Sequence, residues 1–283
     1  MRSLILAIAL LFLIMSFSVS KQPAKPYFFM QLADTQFGMF TENKSFEQET
    51  KNFEQAIVAA NRLHPAFVIV CGDLVNKTGD AAQIAEFKRI AAKLDPGIPF
   101  YSVAGNHDVG NNPTPESLAA YRKNIGPDYY TFERGSLFGI VLNSSLIKEP
   151  DSAKKDAMDQ EAWILSALEK ARKSKKTIMV FQHHSWFLND VNEPDQYFNI
   201  YSPARKKYLS LFQQYGIKYV FAGHYHRNAF GHTDALQMVT TGPVGKPLGP
   251  DKSGLRIVTV QGNNVTYNYY SLDSIPEKIE FNR

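Results

Sequence analysis

His224 and His226 stand two apart in the stretch GHYHR (residues 223–227), with Tyr225 between them. Residues i and i+2 of an extended segment point to the same side, so this spacing predicts two imidazoles aimed at one place. Imidazoles so placed suit a metal ion, but two nitrogens do not fill a coordination shell, and further donors must come from elsewhere. The residues able to supply them follow apolar runs. Asp34 comes after YFFMQLA, Asp73 after AFVIVCG, Asn106-His107-Asp108 after PFYSVAG, His183-His184 after TIMVFQ, and the GHYH histidines after KYVFAG. The set is rich in oxygen and imidazole and has no thiolate, which suits Mn, Fe or Zn in a hydrolytic site better than a structural zinc. It also holds too many donors for one ion. Asp73 could bridge two ions roughly 3.5 to 4 Å apart, an arrangement that clamps the attacking and leaving oxygens of a phosphoryl displacement.

Positioning such residues is the work of the elements before them. The five apolar runs, together with LFGIVLN, are strand-length and rich in β-branched and aromatic residues. Helix-period segments alternate with them: FEQETKNFEQAIVAA, AAQIAEFKRIAAKL, QEAWILSALEKA and ARKKYLSLFQQY. From Leu236 onward LQMVTTG, GLRIVTVQ and NVTYNYYSL read as consecutive strands, with 262–264 as a hairpin turn. The pattern is α/β (α+β) with an antiparallel finish. In an open sheet the carboxyl ends of such strands share an edge, where sequence-distant Asp, Asn and His residues meet. Taken singly, Asp34 and Asp73 read better as helix N-caps, and Asn106 and Asp108 could be turn residues. Their joint occurrence at five strand ends argues for a site.

With 283 residues, 44% of them hydrophobic, the chain can bury a sizeable core. Its 31 Lys and Arg against 27 Asp and Glu call for neither nucleic acid nor a membrane surface as partner. The one cysteine, Cys71, reads as a buried small hydrophobe, and no intramolecular disulfide can form. Residues 1–20 read as a secretory signal: Arg2, an apolar run from Leu4 to Met15, and small residues Ser18 and Ser20 before a cut after Ser20. Export to a periplasm or the exterior is therefore expected, with residues 21–283 as the functional domain. The competing reading is an uncleaved N-terminal membrane anchor. Residues 189–201 form the longest irregular stretch, expected as a loop over the site.

DTQ at 34–36, GDLVN at 72–76, GNHD at 105–108, QHH at 182–184 and GHYH at 223–226 occur in the order of the calcineurin-like metallophosphoesterase superfamily. Within it, FFMQLADTQFG, GNHDVGNNPT, VFQHHSWF and YFNIYSPARKK resemble the complete S/T-protein phosphatase group. The resemblance implies a four-layer αββα sandwich of mixed sheets flanked by helices, and a dinuclear metal site. Carried over, Asp34 and His226 hold the first metal, Asp73 bridges, and Asn106, His183 and His224 hold the second. On the same resemblance, a hydroxide between the ions would attack phosphorus. His107 stabilises the transition state or protonates the leaving oxygen, and Asp108 orients it through a carboxylate–imidazole hydrogen bond. Gln36 stands where the superfamily usually has a histidine. Its neutral carbonyl is a weaker ligand, so the first metal should bind less tightly or be a harder ion. Tyr225 and Arg227 flank the last ligands as candidate contacts to substrate phosphate.

The expected activity is hydrolysis of phosphomonoesters, including phosphoserine or phosphothreonine, with a small molecule or phosphoprotein as partner. The alternatives are a phosphodiesterase for nucleotides or other small diesters, and a metal or phosphate binder without turnover.

Overall fold

The computed structural model describes residues 25–262 and 264–281. The expected signal at 1–20, and its cleavage point, lie outside these residues, as does Asn263 of the expected hairpin turn.

Two mixed sheets pack face to face. The first has the order β11-β10-β1-β2-β3, formed by β1 (Tyr27–Leu32), β2 (Val68–Cys71), β3 (Phe100–Val103), β10 (Gly254–Gln261) and β11 (Asn264–Ser271). The second has the order β4-β5-β6-β7-β9-β8, formed by β4 (Tyr130–Arg134), β5 (Leu137–Val141), β6 (Thr177–Phe181), β7 (Tyr219–Ala222), β8 (Ala229–His232) and β9 (Gln237–Thr240). Within the sheets β1, β2 and β3 run parallel to one another, as do β5, β6, β7 and β9, while β10, β11, β4 and β8 pair antiparallel.

Both faces of the central strands are buried, which is why their sequences are continuous apolar runs. Phe29, Ile69, Met179 and Phe221 point into the space between the sheets. Their neighbours Met30, Val68 and Val70 face the helical layer of the first sheet, and Val180 and Val220 that of the second. The inter-sheet layer is aromatic. Phe29 stacks on Phe67 at 4.6 Å between ring centroids and meets Phe221 of the opposite sheet edge-on at 5.6 Å. Such pairs contribute about 0.5–1.5 kcal/mol each beyond their buried area. A polar tie crosses the same layer: buried Gln31 donates to the Ala222 carbonyl at 3.0 Å and accepts from the Thr241 hydroxyl at 2.7 Å.

Helices α1 (Glu47–Leu63) and α2 (Ala81–Ala91) cover the first sheet. The short α3 (Asn106–Val109), then α4 (Pro115–Asn124) and α5 (Ser144–Lys148), follow in chain order. Helices α6 (Lys154–Ser174) and α7 (Ser202–Gln214) cover the second sheet. The result is the expected four-layer αββα sandwich. The six apolar runs named above are β1, β2, β3, β5, β6 and β7. The expected antiparallel finish is only partly right: β9 pairs parallel to β7 in the second sheet, and β10 and β11 return to the first. The five donor-bearing strand ends likewise come from two sheets, not one, and meet because the sandwich brings the ends of β1, β2 and β3 against those of β6 and β7.

Candidate metal centre

Asp34, Gln36, Asp73, Asn106, His183, His224 and His226 gather where the two sheets end, and none is more than 4% exposed. Backbone bonds lace the loops that carry them. Asp34 N–H donates to the Gly72 carbonyl, Gln36 N–H to Asp73, and Gly223 N–H to His183. Two sets of donor atoms converge within 4.8 Å: Asp73 with His183 and His224, and Asp34 with Asp73 and His226. Asp73 belongs to both, as a shared ligand requires.

Five of these residues adopt a left-handed backbone: Asp34 (φ 50°), Gln36 (40°), Asp73 (50°), His224 (69°) and His226 (53°). That conformation costs a non-glycine residue about 1–3 kcal/mol and persists where the surroundings over-determine it, often at functional sites. It also corrects the first expectation drawn from GHYH. The segment is a bend with both histidines left-handed, and the two imidazoles face different donor sets instead of one point. The N-cap readings fail too, because α1 begins at Glu47 and α2 is capped by Asp80. Close approach explains two glycines. A Cβ on Gly72 would lie 2.3 Å from His183 Nδ1, and one on Gly105 2.2 Å from the Asp73 amide nitrogen.

Each imidazole is tied by one nitrogen to a backbone carbonyl. His183 Nδ1 donates to Cys71 at 2.9 Å, His224 Nε2 to Tyr197 at 3.1 Å, and His226 Nδ1 to Lys246 at 2.6 Å. Such bonds fix the tautomer and leave the opposite nitrogen as the inward donor. Asn106 is oriented the same way: its Nδ2 donates to Asn111 Oδ1 at 2.9 Å and to the Tyr197 hydroxyl at 3.2 Å, so Oδ1 faces inward.

The donor set fits a cation. His183 Nε2 lies 3.0 Å from Asn106 Oδ1 and 3.2 Å from Asp73 Oδ2, and His226 Nε2 lies 3.5 Å from Asp34 Oδ1. Acceptor oxygens and ring nitrogens this close require positive charge among them. Burial works against charge on His183, yet the Asp73 and Asp34 carboxylates outweigh it and raise the imidazole to about 9. His224 and His226 are pushed down by burial, which favours the neutral, ligating form. Burial lifts Asp34 well above the usual carboxylate range against the pull of His183. For Asp73, where burial also raises, the opposing pull of His183 and His107 prevails and lowers it. Gln36 adds an independent observation. Its Nε2 donates to Asn76 Oδ1 at 3.2 Å, while its buried Oε1 has no hydrogen-bond partner among the described residues. An orphaned buried carbonyl is costly and is explained by a cation ligand.

His107 sits half-buried at the rim with Nδ1 donating to the Asn76 carbonyl at 2.6 Å, and its backbone N–H donates to Asp73 Oδ1 at 2.8 Å. Asp108 does not orient it. The Asp108 carboxylate is turned away, accepting the amides of Leu74 (2.9 Å), Val75 (3.2 Å) and Gly105 (2.8 Å). Three backbone donors outbid one imidazole for a buried carboxylate, so Asp108 braces the loop after Asp73. Burial, then the Asp73 charge, pushes its carboxyl up to about 7. Tyr225 and Arg227 are half-buried beside His226, with Arg227 donating to the Leu248 carbonyl at 2.8 Å and to the Tyr225 hydroxyl at 3.3 Å. His184 lies behind the site, bonded to Ser144 Oγ at 3.0 Å and packed 4.3 Å from the His224 ring.

Sequence reasoning did not single out Tyr197, which touches both Asn106 and His224 from the 189–201 loop; an aromatic in the longest irregular stretch was its only signal. Nor did it single out Ser144, whose hydroxyl accepts the amides of His183 (3.2 Å) and His184 (2.9 Å).

The family model for calcineurin-like phosphoesterases matches residues 29–228, a span that contains all seven clustered donors. The chain is 37% identical over 269 residues to serine/threonine-protein phosphatase CPPED1 of Bos taurus, covering 89% of this chain and 86% of that protein. The Homo sapiens protein of the same name matches at 37% over 270 residues, with the same coverage. In fold the chain is similar to a dimetal phosphatase from Danio rerio, with a TM-score of 0.65 at 14% identity over 88% of this chain and 97% of that one. Donor geometry, sandwich and sequence therefore agree that this chain belongs to the calcineurin-like phosphoesterase family.

Proposed function

We propose that this metal-dependent phosphoesterase is a phosphomonoesterase holding two divalent ions. Asp34, Gln36 and His226 take the first ion, Asn106, His183 and His224 the second, and Asp73 both. The nitrogen and oxygen donors, with no thiolate, suit Mn, Fe or Zn. Bound there, the ions supply charge neutralisation for phosphoryl transfer and let water act as a nucleophile near neutral pH. The chain supplies the rest. His107, with Nδ1 held by Asn76, presents Nε2 to the leaving oxygen and protonates it. Arg227 and Tyr225 bind the outer phosphate oxygens.

The observation that carries the monoester reading is the depth of the site. The donors are almost wholly buried, and Tyr197 of the 189–201 loop lies against them, its ring 4.8 Å from that of His224. A terminal phosphoryl group can reach that depth with one substituent trailing outward, whereas a diester must bring two. The name of the mammalian relatives favours phosphoserine or phosphothreonine in proteins. Export, which rests on residues 1–20 alone, favours small phosphate esters as well.

The test is hydrolysis of p-nitrophenyl phosphate beside bis-p-nitrophenyl phosphate by protein loaded with Mn, Fe or Zn, followed by phosphoserine and phosphothreonine peptides. Faster metal-dependent release from the monoester is expected. Faster release from the diester would overturn the reading in favour of a phosphodiesterase.

A further inference from the structure

Lys148, the last residue of α5, points its ammonium into the underside of the 189–201 loop. Nζ donates to the carbonyls of Gln196 (3.0 Å), Tyr197 (3.0 Å) and Asn199 (2.5 Å), and lies 4.1 Å from the centre of the Tyr201 ring. Lys148 is buried and makes no ion pair with a carboxylate among the described residues. A buried ammonium satisfied by carbonyls and one ring face, with no carboxylate in contact, is an expensive way to hold a loop, and burial pulls its pKa down to about 8. The contacts it secures are therefore informative.

The Tyr197 carbonyl is shared. It accepts from Lys148 Nζ on one side and from His224 Nε2 on the other. The hydroxyl of the same residue accepts from Asn106 Nδ2 and reaches Asn111 Oδ1 at 3.5 Å. One residue thus fixes which nitrogen His224 turns inward and which end of the Asn106 amide does so. At the other end of α5, Ser144 holds the His183 and His184 amides. All three donors assigned to the second ion are braced by this five-residue helix or by the loop it pins. None of those assigned only to the first ion is.

We propose that Lys148 is a positioning residue for the second metal ion, acting through Tyr197 on His224 and Asn106. This rests on the ligand assignment above and adds to it that affinity for the second ion is set separately, from outside the ligand shell. Loss of an orienting partner of this kind weakens metal binding by about 10- to 100-fold.

The experiment is calorimetric titration of chelator-treated protein with Mn(II), comparing wild type, Lys148→Met, Lys148→Gln, Lys148→Arg and Tyr197→Phe, with circular dichroism to confirm folding. Wild type should bind two ions in two steps. Lys148→Met should keep the first step and weaken the second by about 10- to 100-fold, and Lys148→Arg, which restores donors to the same carbonyls, should recover part of that loss. Tyr197→Phe, changed only at a residue 50% exposed, removes the Asn106 contact but keeps the carbonyl that Lys148 holds, and should weaken the second step less; if Lys148→Met does not fold, Lys148→Gln, which loses the ammonium, carries the test. A wild-type second step in Lys148→Met, or in Lys148→Gln where that variant stands in, overturns the role of Lys148 and leaves the ligand assignment intact. A wild-type protein that binds fewer than two ions overturns the assignment itself, and the Lys148 role with it.

Discussion

The two halves of the proposed metal centre are held by different means. Asp34, Gln36 and His226 sit on left-handed backbone immediately after β1 and β7, and their orientation comes from short bonds between adjoining loops, such as Gln36 N–H to the Asp73 carbonyl at 2.9 Å. Asn106 and His183 have no such backbone; with His224 they depend on Tyr197, Ser144 and the Cys71 carbonyl, which arrive from other parts of the chain. All of the first half sits on left-handed backbone, with His226 and Gln36 tied to Lys246 and Asn76; in the second only His224 does, and support comes from the 189–201 loop and a short helix. The first should therefore survive changes to the 189–201 loop, while the second should respond to them.

Substitutions can separate these halves. Asp73→Asn, which alters the shared ligand, should have the largest effect, with metal content by mass spectrometry falling below one ion per chain and turnover lost. Retention of two ions would remove Asp73 from its bridging place. His107→Ala should leave both halves intact: two ions remain, but kcat falls by about 100- to 10,000-fold, as for loss of a general acid. Unchanged turnover would refute its role. Gln36→Ala should weaken only the first ion, by about tenfold, leaving the second titration step where it was. A shift in the second step would show that the halves are not independent. Arg227→Ala belongs to neither half, and should raise KM for a monoester by about tenfold at constant kcat, the size expected for one charge-assisted bond. An equal fall in kcat would move Arg227 from binding into the transition state.

Much of the scaffold was legible because strand formation here is a local matter. A run such as VIVC or TIMVF is buried on both faces, and the apolar pattern that burial demands is written in consecutive residues. The strands that were missed, β4 (YTFER) and β8 (AFGH), lie at the sheet edges, where exposure of Glu133, Arg134, Phe230 and His232 erases that pattern. The donors were legible as well, since each follows a strand that could be read. Their surroundings were not. The partner of His183 Nδ1 is a carbonyl 112 positions away, and that of His224 Nε2 is 27 away, in a loop without periodicity.

The sequence by itself determined most of the strands, the order of the donor residues behind them and the class of chemistry those donors serve, because all three depend on residue type and short spacing. Only the tertiary structure decided that the donors come from two sheets, that His224 and His226 face different donor sets, that Asp108 braces a loop instead of His107, and that Lys148 reaches the site through Tyr197. Those outcomes depend on which backbone carbonyls and amides the packed layers bring within hydrogen-bond distance, and residue type carries no record of a partner that arrives from across the fold.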